Sequence, residues 1–170
     1  MNNGSYMKKV LFYIFVIMSL LCIDLSSKYY VNTTICENES IPVLGNFLKF
    51  TLVFNYGTTF GISSANAPYI KISIIKFVSI IVLLVLFLNI ARVFKHAKHQ
   101  NISKFCIICM IGGSLGNIID RLADKRVTDF IDIGINGFRW YVFNAADVFQ
   151  VIGGLTIMFL LIGEYRYKQR

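Results

Sequence analysis

With 170 residues, the chain has room for one domain. Hydrophobic residues make up 56% and charged residues 15%, and a mean hydropathy of +0.63 excludes an ordinary soluble globular domain. The net charge of +8 is scattered, without the basic stripe interleaved with aromatics that nucleic acid requires, so nucleic acid is not an expected partner.

Four apolar blocks predict four transmembrane helices, at about 10–31, 72–91, 105–121 and 145–163. The first follows Lys8 and Lys9. Within it Ser19-Leu20-Leu21-Cys22 faintly resembles a lipoprotein cleavage site, but Leu21 is large for the position before the cysteine, so a retained helix is expected rather than a cleaved leader. At its far end Asp24 and Lys28 stand four apart, acid first, the order that suits an ion pair along a helix. Such a pair either anchors the helix end or takes part in chemistry.

The following link holds Phe47 to Phe54, rich in aromatic and β-branched residues, which predicts a strand, and then a turn at Gly57 and Gly61. Block two carries Lys76 close enough to one end for its ammonium to reach the interface. A basic link follows, with Arg92, Lys95, Lys98 and Lys104 and both histidines, His96 and His99.

In block three, Gly112 and Gly116 form a small-xxx-small face for close helix packing. Asn117 and Arg121 share a face four apart, and polar groups at membrane depth mark a site more often than a scaffold. Beyond it, Val127 to Ile133 and Phe138 to Phe143 read as short strands. Together with the first link they predict a small antiparallel sheet from about 40–66 and 127–143. Asn144 is a good N-cap for the last helix, and Asp147 falls in its first turn.

Orientation follows from the flanking charges. The N-terminus, the link between blocks two and three, and the C-terminal tail are basic, whereas Asp24, Glu37, Glu39, Asp120, Asp124, Asp129, Asp132 and Asp147 lie in the other two links. The positive-inside rule therefore puts both termini in the cytoplasm and the acid-rich links outside. The expected whole is a single polytopic membrane domain over residues 1–170 with an outer-face β-cradle.

Asp129 and Asp147 come from separate segments, both at the outer interface and both embedded in apolar sequence. Two carboxylates close together in a low-dielectric site cannot easily both ionise, so one keeps a proton and the pair can serve as base and acid. For a lone Asp147, the helix dipole would be explanation enough. The histidines sit across the membrane from these acids. Cys22, Cys36, Cys106 and Cys109 form no metal pattern, since Cys106 and Cys109 flank two isoleucines inside an apolar run. No metal or cofactor is implied. The competing class is a small transporter or channel-associated subunit, which would spread polar residues through membrane depth on several spans.

Five motifs resemble those of the lipoprotein signal peptidase (signal peptidase II) family, in order along nearly the whole chain. They are Asp24-Leu25-Ser26-Ser27-Lys28, Asn55-Tyr56-Gly57-Thr58-Thr59-Phe60-Gly61, the run from Gly113 to Arg121, Val127-Thr128-Asp129-Phe130, and Phe143-Asn144-Ala145-Ala146-Asp147. The resemblance implies an aspartyl endopeptidase with Asp129 and Asp147 as its dyad. It further implies that Asn55, Gly57, Asn117, Arg121 and Asn144 bind substrate or brace the site. The implied substrate is a diacylglyceryl-modified prolipoprotein, cut N-terminal to its lipidated cysteine. A monomer in contact with membrane lipid, in a bacterial cytoplasmic membrane, is expected.

Overall fold

The computed structural model describes residues 3–56 and 97–168, together with helical positions 81, 84, 85, 88 and 89. Apart from those five, the expected span 72–91 with Lys76 lies outside the described residues, as do Gly57, Gly61 and His96.

Among the described residues, three helices are long and apolar enough to cross a membrane. They are α1 (Asn3–Thr34), α2 (Ala97–Asp124) and α3 (Ala145–Lys168). Each outruns its apolar block, because a block measures hydrocarbon depth while backbone hydrogen bonding continues into the polar interface. Towards its far end α1 carries Asp24 and Lys28, both buried.

Glycines let α2 pack closely against both neighbours. A Cβ on Gly112 would meet Leu20 and Ile17 of α1, and one on Gly113 would strike the Ala146 carbonyl of α3. Further along, Gly153 of α3 faces Cys106 and Met110. The rising register makes α1 and α2 parallel, while α3 runs against them. Ile107, Ile108 and Ile111 fill the seam, with Val16, Ile17, Ile157 and Leu160 packed around them. Outward, Leu11, Phe15 and Met18 of α1 and Val151, Ile152 and Phe159 of α3 are exposed, the apolar surface that lipid solvates.

A four-stranded antiparallel sheet lies at the end where α1 and α2 finish and α3 begins. Its order is β1 (Ser40–Leu44), β2 (Leu48–Asn55), β3 (Val127–Ile135) and β4 (Phe138–Arg139). Asn136 and Gly137, at φ 52° and 87°, close the β3–β4 hairpin in two residues, both in the left-handed region that Asn and Gly tolerate. The strand expected over Phe138 to Phe143 is shorter. After Arg139 the chain leaves the ladder, still held to β3 by the Trp140 N–H donating to the Ile133 carbonyl at 2.8 Å and by the bridge between Phe143 and Ile131. That departure delivers Asn144 to the start of α3. The last turns of α1 seat the sheet, with Val31 and Ile35 buried against Leu52 and Phe130.

Candidate active site

Asp129 is delivered by β3. The β2–β3 register slips between Phe50 and Val53, a bulge beside the Val53–Asp129 pair, and such irregularities re-aim neighbouring side chains. Two residues beyond Val53 on the same face, Asn55 Nδ2 donates to Asp129 Oδ2 at 3.1 Å. Asp147 is delivered by the start of α3. Asn144 Oδ1 accepts from the Asp147 backbone N–H at 3.0 Å, and the Asn144 N–H donates to Asp147 Oδ2 at 3.3 Å. This reciprocal cap fixes both the helix start and the acid in its first turn.

Asn144 ties the two acids together. Its wholly buried amide donates from Nδ2 to Asp129 Oδ1 at 2.7 Å and to Asn117 Oδ1 at 3.0 Å. Asn117 Nδ2 in turn donates to Asp147 Oδ1 at 2.8 Å. Arg121, one turn further along α2, lies in electrostatic range of Asp129, Asp147 and Asp120, and its Nη1 reaches the Asn117 carbonyl at 3.5 Å.

The two carboxyls occupy unequal surroundings. Asp129 is 5% exposed and Asp147 is partly exposed. Burial, reinforced by the nearby Asp147 charge, pushes the Asp129 carboxyl up to about 7, against the opposing pull of Asn55, Asn144 and Lys28.

A buried ionic brace supports the site. Lys28 Nζ donates to Asp24 Oδ2 at 2.7 Å, to Asn117 Oδ1 at 3.1 Å and lies 3.1 Å from Asp120 Oδ2. Asp24 Oδ1 accepts from the Ala146 N–H at 2.9 Å, and Asp120 Oδ2 from the Thr128 N–H at 3.1 Å. One lysine thus joins the end of α1 to α2, and through two carboxylates reaches the start of α3 and β3. Gly116 does more than the simple helix packing its spacing suggests, because a Cβ there would run into the Asp24 carboxylate.

Of the expected site residues, Asp129, Asp147, Asn55, Asn117 and Asn144 converge, with Arg121 beside them. Asp24 and Lys28 pair as anticipated, one layer away. Gly57 lies outside the described residues. Sequence reasoning missed Asp120 as the third member of the brace, and Thr128. The signal for Asp120 was its position three residues after Asn117, on the same face of α2.

Paired carboxyls of unequal burial, fixed by amide donors at the end of an apolar helix bundle, form an arrangement suited to a membrane-embedded aspartic hydrolase. The sequence profile of Signal peptidase (SPase) II matches residues 16–163. The lipoprotein signal peptidase of Moorella thermoacetica is 34% identical over 150 residues, covering 88% of this chain and 92% of the relative. That of Staphylococcus haemolyticus is 34% identical over 154 residues, covering 91% and 92%. A solved bacterial membrane enzyme, determined by the in meso method at 2.3 Å resolution, superposes with a TM-score of 0.78 at 30% identity, covering 92% of this chain and 90% of that one. The chain belongs to the signal peptidase II family, and it is an aspartic peptidase. A transporter finds no support in these relationships.

Proposed function

We propose that this enzyme removes the signal peptide from diacylglyceryl-modified prolipoproteins, cutting N-terminal to the lipidated cysteine, with Asp129 and Asp147 as its catalytic pair. The observation that carries this reading is the Asn144 side chain, which donates to one acid while capping the helix turn that holds the other.

In the cycle, buried Asp129 holds the proton and partly exposed Asp147 is the carboxylate base. Asp147 takes a proton from water as the water oxygen attacks the scissile carbonyl, and Asp129 gives its proton to the carbonyl oxygen. A gem-diol results. Asp147 then passes its proton to the cysteine nitrogen as the C–N bond breaks, and Asp129 recovers a proton from the collapsing gem-diol. One water is consumed and the pair returns to its starting state. Asn55, Asn117 and Asn144 hold the carboxyls in place, and Arg121 offsets their negative charge. Each step draws only on water and the two carboxyls.

The substrate's acyl chains hold its cysteine at the bilayer surface, the depth that this reading gives to the two acids. We assign four spans to a single polytopic unit in the bacterial cytoplasmic membrane, with both termini cytoplasmic and the dyad towards the outer face. Supporting this, α1 and α2 run parallel and both finish at the sheet, and the apolar block 72–91 between them in sequence has the composition of a span. The pair and its brace come from one chain, which fits a monomer.

The test is to incubate purified enzyme with a lipidated precursor peptide and its unlipidated twin, and to locate cleavage by mass spectrometry. Cleavage before the cysteine of the lipidated peptide is expected. Cleavage of neither, or of both equally, would overturn the substrate assignment.

A further inference from the structure

At the end of the bundle opposite the dyad, a cleft of about 430 Å³ opens between the starts of α1 and α2. Lys8 and Lys28 are twenty residues apart on one helix, which at roughly 1.5 Å per residue sets the cleft about 30 Å from the ionic brace. None of the groups assigned to catalysis reaches it.

Its walls are divided by chemistry. Ser5, Lys8, Lys9 and Asn101 supply hydrogen-bond donors, and Phe12 and Phe105 supply an apolar wall. Phe12 is 53% exposed and Phe105 42%, so the apolar wall continues onto the outer surface of the bundle, where Leu11 and Phe15 are also exposed. On α1 and α2 the charge is one-sided, while Glu164 of α3, towards the same end of the bundle, is buried. Neither α1 before Asp24 nor α2 before Asp120 contains an acidic residue, and neither helix has an acid in its first turn. Among the described residues of these two helices, the lysines at the cleft therefore have no carboxylate to balance them.

We propose that this cleft binds one anionic glycerophospholipid, its phosphodiester between Lys8 and Lys9 and its acyl chains along Phe12 and Phe105. A phosphodiester supplies the missing negative charge and accepts the available donors. Two acyl chains cover apolar surface that a soluble anion would leave bare. A zwitterionic lipid brings its own cation next to two lysines and gains little. The occupant is thus an anionic lipid, distinct from the substrate and bound at the opposite end of the enzyme.

The test uses full-length protein in neutral detergent, titrated with dioleoyl-phosphatidylglycerol or dioleoyl-phosphatidylcholine and followed by native mass spectrometry. At about fivefold per basic group, the two lysines should retain the anionic lipid in a single copy with a preference on the order of 30-fold. Lys8→Gln with Lys9→Gln should remove that preference, and Lys8→Arg with Lys9→Arg should keep it. Cleavage of the lipidated precursor by all variants should match the parent and so certify their folding. Should the double glutamine variant fail that control, Lys8→Gln alone is read the same way, with a partial loss expected. Equal retention of both lipids by the parent, or a preference that survives loss of the lysines, would overturn the proposal. Displacement of the lipid by glycerol phosphate at equal concentration would also overturn it, since the site would then recognise a soluble phosphate.

Discussion

Replacing Asp129 with Asn should change how the stability of the protein depends on pH. The Asp129 carboxyl titrates near 7 in the folded chain against 3.8 for the ordinary side chain. A folded value above the unfolded one gives stability that is complete below about pH 3.8 and is lost as pH rises through about 7. The gap of about three units corresponds to roughly 4 kcal/mol at about 1.4 kcal/mol per unit. Asparagine cannot ionise and is spared that loss. It carries its own cost, since its amide would meet the Asn55 amide donor, but that cost is the same at every pH. The quantity to follow is therefore the difference in unfolding temperature between the two proteins in neutral detergent. Fluorescence of the single tryptophan, Trp140, provides the signal. From pH 4 to pH 8 the difference should move in favour of Asp129→Asn by about 10 °C, at a few degrees per kcal/mol for a chain of this size. Titrating groups remote from the pair are common to both proteins and cancel. Asp147→Asn should shift the remaining transition towards acid, because it removes the charge that helps hold the proton on Asp129. Parallel curves for parent and Asp129→Asn across this range would refute the assignment of a buried, proton-holding Asp129.

The buried brace makes Lys28→Met a severe change: Asp24 and Asp120 lose their shared cation, at a cost of about 3–5 kcal/mol, seen as a sharp fall in unfolding temperature or in folded yield. Asn144→Ala should cost only about 1 kcal/mol as a lost cap, yet reduce turnover about a hundredfold or more because both acids lose their common tether; near-parental turnover in this variant would contradict its positioning role. Gly116→Ala, which drives a methyl group into the Asp24 carboxylate, should destabilise by about 1–3 kcal/mol, whereas a neutral result would mean that the α1–α2 contact is looser than described.

Much of this architecture can be read in the sequence because membranes impose simple rules. Apolar block length located three of the helices seen here, and charge asymmetry separated their ends. The convergence of Asp129 and Asp147 was legible because acids in apolar surroundings are conspicuous, and because Asn144 and Asp147 carry the spacing of a reciprocal cap. Other features depended on the packed fold. The Lys28–Asp120 contact joins two helices, so local spacing could mark Asp120 as facing the site but not name Lys28 as its partner. Gly116 looked like a packing glycine until the Asp24 carboxylate was found beside it. Helix ends were underestimated because charged residues inside a helix look like a boundary when their partners are unknown. Asn136-Gly137, a strong local signal for the tight β3–β4 hairpin, would have ended the third strand at Ile135. The early end of β4 answers to the demands of Asn144, which is a tertiary requirement.

The account rests on two carboxyls acting as one unit. The most direct measurement is single-turnover cleavage of a lipidated precursor in proteoliposomes by Asp129→Asn, Asp147→Asn and the double variant, each verified as folded. If the pair shares one proton cycle, each single change should reduce the rate by about ten-thousand-fold, and the double change should add almost nothing. Turnover within tenfold of the parent in either single variant, or losses that multiply in the double, would contradict it.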